Sequence, residues 1–292
     1  MMDQVVLVLG ASGLFGSHAA RAFERAGWQV RRYSRARGDM AGAAHGADLI
    51  VNALNPPAYH HWARLVPAIT QEVLGAAQAN GAAVLVPGNV YVFGKEPGPW
   101  GVATPHRAHT RKGRIRAQME AAYRDAAARG TQVILLRGGD FLAPGEARSL
   151  LDMVVLKHLA RGRITTMGPP SVPRAYAYLP DMARAAVMLA EGRANLASYE
   201  DVPFPGLTFS TEELRAALQD RLERPLRMRP FPWWAMRLAS PVWELARELS
   251  EMRYLYRMPH RLDNARFAEL LPNFRGISLP DLAVQEVAAL SV

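Results

Sequence analysis

The 292-residue chain contains no cysteine, which excludes disulfides, thiolate nucleophiles and all-cysteine metal sites. Lysine is nearly missing as well. Of 35 basic side chains only Lys95, Lys112 and Lys157 are lysines, and the rest are arginines. With 26 acids the formal net charge is +9, a surface that draws anions. The arginines are scattered rather than blocked together, which speaks against a nucleic-acid partner. No apolar run is long enough to span a bilayer, and the opening residues carry no charged, signal-like leader. These absences predict a cytoplasmic protein with a small-molecule substrate, no nucleic acid, no stable membrane association and no metal, with a homodimer left open. Half of the residues are hydrophobic, enough for one large domain or two unequal lobes.

What is present begins at the N-terminus. Val5-Val6-Leu7-Val8-Leu9 reads as a strand, Gly10-Ala11-Ser12-Gly13-Leu14-Phe15-Gly16 as a glycine loop, and the alanine-rich run to Ala26 as a helix. A strand that turns through GxxGxxG into a helix presents backbone N–H groups to a dinucleotide diphosphate. Gly10 takes the tight turn, Gly13 keeps a side chain off the phosphates, and Gly16 lets the helix close on the strand. Ser12, Leu14 and Phe15 complete that loop. The next strand, Gln29–Tyr33, is followed by Ser34-Arg35-Ala36-Arg37 without the acid that would hold an NAD ribose. Arginine there suits a 2′-phosphate, so NADP(H) is expected over NAD(H), held by Arg32 and Arg35. The strand ending Asn52-Ala53-Leu54 supplies the third wall of the cofactor site.

Strands at 47–54, 83–87 and 132–137 alternate with helices at 59–80 and 110–129, the pattern of a doubly wound parallel α/β sheet of Rossmann type. The unit between the second and third strands is too short for another strand and helix. Residues 1–145 are expected to form the dinucleotide-binding domain. Residues 146–292 form a smaller mixed α/β substrate lobe, some segments of which return to the sheet. Helices are expected at 147–160, 181–191 and 211–222. From Pro230 to Arg261 the chain is rich in Trp, Met and Arg, read as core packing between short helices in preference to an amphipathic membrane-surface patch or an apolar lid over a lipophilic substrate.

With these pieces placed, the chain resembles the short-chain dehydrogenase/reductase superfamily in its extended branch of epimerases, dehydratases and reductases. The glycine loop, Asn89-Val90-Tyr91-Val92-Phe93-Gly94, Arg137 to Gly145, and Ala175 to Ala183 carry the likeness. The resemblance implies a serine after the fourth strand and a Tyr-x-x-x-Lys pair on the following helix. Aligned on Glu120, these positions fall on Asn89, Lys112 and Arg116, and all three depart. Tyr91-Val92-Phe93-Gly94-Lys95 matches the spacing but lies in a loop, not on a helix. Asn89, Tyr91, Lys112 and Arg116 are therefore the expected catalytic residues, with Lys112 replacing the tyrosine as acid/base and Asn89 holding a substrate oxygen. His106, His109, Asp140 and Arg174 are expected to face the substrate. The implied activity is that of an oxidoreductase, or an enzyme of epimerase or dehydratase type, acting on a carbonyl or hydroxyl, with nucleotide-sugars among the substrates. The competing expectation is a dinucleotide-binding redox sensor that has lost turnover.

Overall fold

Val5–Leu9 (β1) is apolar and buried throughout, as a parallel strand covered on both faces requires. The glycine loop leads into α1 (Leu14–Arg25), which stops before Gly27, left-handed at φ +85°. β2 (Gln29–Arg32), a four-residue α2 (Met40–Ala43), β3 (Leu49–Asn52), α3 (Trp62–Asn80) and β4 (Ala83–Gly88) follow. α4 (Arg111–Ala128) and β5 (Val133–Arg137) complete the first half. The remainder comprises β6 (Asp140–Leu142), β7 (Arg163–Thr166), β8 (Arg174–Tyr178), α5 (Leu179–Glu191), β9 (Tyr199–Pro203) and β10 (Leu207–Phe209). Then come α6 (Thr211–Leu222), β11 (Arg227–Pro230), α7 (Trp233–Ala239), α8 (Glu244–Glu251), α9 (Ala265–Leu270) and α10 (Leu279–Ala288). The computed structural model describes residues 4–291.

Six strands form one parallel sheet in the order β2-β1-β3-β4-β5-β9. Alternate residues of each strand face opposite layers. Val6 and Val8 meet Phe15 and Phe23 of α1 and Met182 and Ala186 of α5. Val5, Leu7 and Leu9 meet Val73 and Leu74 of α3 and Ile115 and Met119 of α4. This is the doubly wound α/β architecture. Between β2 and β3 there is a single turn at 35–37 and the short α2, so β2 is the sheet's rim.

Two expectations need refinement. The strand at 132–137 is not the last of the sheet, and the later segment that returns to it is β9, which pairs beside β5 from Val133↔Tyr199 to Arg137↔Pro203. Glu200 and Asp201 interrupt the apolar pattern of β9 and mask it in the sequence. In the fold, Arg266 takes Glu200 at 2.8 Å and Arg137 takes Asp201 at 2.6 Å. The second, a correction, concerns residues 147–160, which do not form an α-helix. Ala147 is left-handed, φ +50°, outside the right-handed helical region, so a helix cannot run through it. Leu151–Val155 winds as a π-helical turn, and a 3-10 turn at Leu159–Arg161 ends at Gly162.

The second lobe is built on the β10-β8-β6 sheet and the β11-β7 pair, packed by α6 and α10. Trp233, Met236, Met252 and Met258 are buried in it, as expected of core residues. Trp234 and Trp243 are not. Neighbours on a helix point about 100° apart, so Trp233 and Trp234 of α7 cannot both face the core.

Candidate active site

The parallel strands end at one rim, and β1 and β3 diverge there because their connections leave for opposite faces. That crevice is where doubly wound sheets take ligands. The glycine loop lines it so tightly that side chains are excluded. Gly10 is left-handed (φ +72°), and a Cβ on it would lie 2.9 Å from the Ala53 carbonyl oxygen. A Cβ on Gly16 would overlap the Gly10 carbonyl oxygen. Gly13 caps α1 with extended backbone and no side chain, and the first turn carries no acid. The N–H groups from Leu14 and Phe15 onward are thus left to an anion.

Asn52 of the third wall faces inward, donating to Tyr123 Oη at 2.8 Å and accepting from the Leu54 N–H at 3.2 Å. It fixes the shape of the Ala53–Leu54 turn. Arg32 turns back to Glu24 on α1, at 2.7 Å, with both side chains half-exposed. Arg35 lies exposed beyond β2. The next carboxylate after β2, Asp39, caps α2 by accepting from the Gly42 N–H at 2.6 Å.

Sequence reasoning missed Arg148. Its guanidinium donates to the Ser12 carbonyl at 2.9 Å, directly on the glycine loop. The segment that carries it is anchored by Glu146, which meets His18 at 2.8 Å and Arg21 at 3.3 Å on α1. The signal lay hidden because residues 147–160 look helical, and a helix would have pointed Arg148 elsewhere.

At the carboxyl end of β4, Asn89 accepts from the Tyr91 N–H at 3.0 Å, which sets the loop. Tyr91 Oη lies 3.4 Å from Tyr59 Oη. Tyr59, left-handed at φ +63°, was also missed. Its place at the carboxyl end of β3, inside an apparent helix start, was the available signal. Burial, then the neighbouring Tyr59 and Asp140, pushes the Tyr91 phenol well above its ordinary range. Tyr59 is raised by burial too. Both are neutral hydrogen-bond donors. Arg116 reaches the same place, stacking over Trp62 at 4.7 Å and donating to Asn55 Oδ1 at 2.9 Å. Its Nε is buried without a partner among the described residues. Asp140 pairs with Arg174 at 2.9 Å, and Arg174 also donates to Tyr176 Oη at 2.6 Å and lies over Tyr256 at 4.5 Å.

Lys112 is placed otherwise than expected. It is fully buried, and its ammonium contacts the carboxylates of Glu248 and Glu251, the latter at 2.7 Å, and the Glu248 carbonyl at 3.1 Å. All three N–H donors are spent within the protein. This corrects the expectation of a proton carrier at that position. Lys112 does lie over the Tyr59 ring, at 4.8 Å. His106 and His109 stand apart from the tyrosine cluster. His106 lies 3.5 Å from Glu120, beside a buried group in which Arg137 donates to Glu120 (3.0 and 2.9 Å) and to Asp201 (2.6 Å). The ligand atoms of His106, Glu120 and Asp201 lie within 4.8 Å of one another, but Arg137 already bridges the two carboxylates. His109 packs edge-on to Tyr254 at 4.5 Å. Burial lowers both histidines.

Against this geometry, the profile of the NAD dependent epimerase/dehydratase family matches residues 6–202. No curated protein sequence matches significantly. The fold is shared with UDP-glucuronic acid 4-epimerase from Bacillus cereus in complex with NAD, at 16% identity and a TM-score of 0.76 over 99% of both chains. TunA, an NAD-dependent NDP-hexosamine 5,6-dehydratase, gives 0.73 at 16% over 99% of this chain and 98% of its own. WbmH from Bordetella bronchiseptica, in complex with NAD+, gives 0.71 at 16% over the same shares.

Proposed function

This chain belongs to the NAD dependent epimerase/dehydratase family, and from that premise we propose that it is a dinucleotide-dependent enzyme acting on a carbonyl or hydroxyl carbon of a nucleotide-sugar-like substrate. The observation that carries this reading is the meeting of Tyr59 and Tyr91 at the strand ends, with Arg116 joined to them over Trp62 and bonded to Asn55 after β3. The Gly10–Gly16 cradle, which a Cβ would fill, fits a diphosphate. Backbone N–H groups of Leu14 and Phe15 would hold it, with Arg148 neutralising its charge. Bound there, a nicotinamide supplies hydride exchange.

The remaining tasks fall to the chain's own side chains. Tyr91 takes the hydroxyl role, donating to a substrate oxygen, and Tyr59 extends the donor chain. Arg116 stabilises negative charge that develops on that oxygen. The amide of Asn89 is a further donor to the same oxygen. Asp140 and Arg174 close the far wall, and Lys112 positions α4 without touching substrate. The comparison to make is NADPH oxidation or internal epimerisation across a panel of UDP-sugars. Tyr91→Phe is expected to lower kcat by about a hundredfold at unchanged dinucleotide affinity; an unchanged kcat removes Tyr91 from the chemistry.

For the cofactor, the reading is NADP(H) over NAD(H). It is supported by the missing acid after β2, by Asp39 being spent on α2, and by the exposed Arg35. Tighter binding of NADH than NADPH in titration calorimetry overturns it. The regulatory alternative draws on one observation, the commitment of Lys112 to Glu248 and Glu251. Tight NADPH binding without turnover of any sugar nucleotide decides for it.

A further inference from the structure

The outward side of α7 and the turn after it are unlike the rest of the surface. Trp234 is 71% exposed, Leu238 74%, Val242 92% and Trp243 49%. Trp234 and Leu238 are one helical turn apart and share a face. The N–H groups of Val242 and Trp243 both bond the Ala239 carbonyl, at 3.1 and 2.8 Å, folding these two residues back against the end of α7. Beneath the patch the helix is firmly held. Trp233 Nε1 donates to the Met167 carbonyl at 2.7 Å, and its ring meets Phe231 and Tyr256. The outward residues are therefore not a loosely packed part of the core.

The chain that leads into the patch is basic, between Glu223 and Glu244. From Arg224 to Trp243 there are four arginines, Arg224, Arg227, Arg229 and Arg237, all exposed, and no carboxylate. Arg227 and Arg229 alternate on β11 and so point to one face. Of the acids that follow, Glu244 pairs at the surface with His60 at 3.0 Å, while Glu248 and Glu251 turn in to Lys112.

We propose that this face is a peripheral membrane-docking surface for anionic lipid. Exposed Trp and Leu within a stretch of four arginines is the chemistry of an interfacial segment, apolar side chains entering the headgroup boundary while arginines meet lipid phosphates. A second copy of the chain fits less well, because a two-fold contact would press arginine-rich faces together. No helix among the described residues is long and apolar enough to cross a membrane, so the protein lies on the bilayer. This reverses the expectation of no membrane association. It stands independently of the cofactor and the reaction.

α8 follows directly from the patch and reaches both Lys112 and His60, so docking sets the wall of the candidate site against the lipid surface. The test is flotation of the full chain with phosphatidylcholine vesicles, with or without about one-third phosphatidylglycerol. Tryptophan emission is followed in parallel. Binding only to the anionic vesicles, weakened by salt and accompanied by a blue shift, supports the proposal. Trp234→Ser with Leu238→Ser should weaken it about thirtyfold, and Arg229→Glu with Arg237→Glu should abolish the preference for anionic lipid. These surface changes leave NADPH affinity unchanged, which controls for folding. Equal binding to neutral vesicles, or no binding to either, overturns the proposal. So does a concentration-dependent dimer in light scattering that Trp234→Ser dissolves, which would make the face a self-interface.

Discussion

Two groups of cations in this molecule behave oppositely. Arg137 and Lys112 are buried among carboxylates, their donors satisfied by Glu120, Asp201, Glu248 and Glu251. Arg148 and Arg116, at the crevice, donate to neutral oxygens of Ser12 and Asn55, and the carboxylate nearest Arg148, Glu146, stands off at 3.9 Å and is shared with His18 and Arg21. A cation neutralised within the protein holds elements together, whereas one resting on a carbonyl keeps its charge for an arriving anion. Arg137 shows the first case most clearly. Burial alone would lower its guanidinium, yet Glu120 and Asp201 hold it above the ordinary arginine range. Removing it strands two buried carboxylates.

The comparison breaks if the two groups respond alike to substitution. Arg137→Ala should destabilise the fold by about 3–5 kcal/mol in urea unfolding, with poor expression as the first sign. A loss below about 1 kcal/mol would mean that the ion cluster holds nothing together.

Glu286 supplies the contrasting case of a buried carboxyl without a cation. Burial, then Asp152, pushes its pKa up from 4.5 to about 8. The native state therefore binds a proton that the unfolded chain releases. Stability from this group is complete below the unfolded pKa and is lost as pH rises toward about 8. Relative to Glu286→Gln, the wild type should lose about 2–4 kcal/mol between about pH 5 and about pH 8, read from unfolding curves of both proteins. Parallel curves would place Glu286 in water. Buried His260, pushed down to about 4 chiefly by burial, acts with the opposite sign, costing stability as pH falls from about 6.5 toward 4.

Smaller effects sharpen the crevice side. Arg148→Ala should weaken NADPH and ADP-ribose by about ten- to thirtyfold in calorimetry and leave adenosine unaffected. Equal losses for adenosine would make Arg148 a prop for the loop rather than a ligand. Arg35→Ala should cut the ratio of NADPH to NADH affinity by about tenfold. Unchanged selectivity moves the 2′-phosphate reading off that turn.

The sheet and the glycine loop were legible because apolar runs and glycines act locally, each through its own backbone. β9 was hidden because its acids find their cations only in three dimensions. The candidate site divides along the same line. Tyr91 and Asp140 could be placed from strand ends, and Arg116 from the family resemblance aligned on Glu120. Lys112 was misread because its partners, Glu248 and Glu251, lie on a helix more than a hundred residues later in the chain. Arg148 and Tyr59 were missed because Ala147 and Tyr59 adopt left-handed backbones that an alanine or a tyrosine does not announce.

The rim strand β2 has a consequence for self-association. A sheet that stops there exposes a row of unpaired backbone groups to any passing strand. Only four residues offer that edge, two of them arginines, and Arg31 is tied to the His45 carbonyl. Incoming chains find too short a template to zip onto. The opposite rim, β9, is shut by α9 through Arg266 and Glu200. Shortening the fold thus left one bare edge, and its brevity rather than a covering helix keeps it from seeding aggregates.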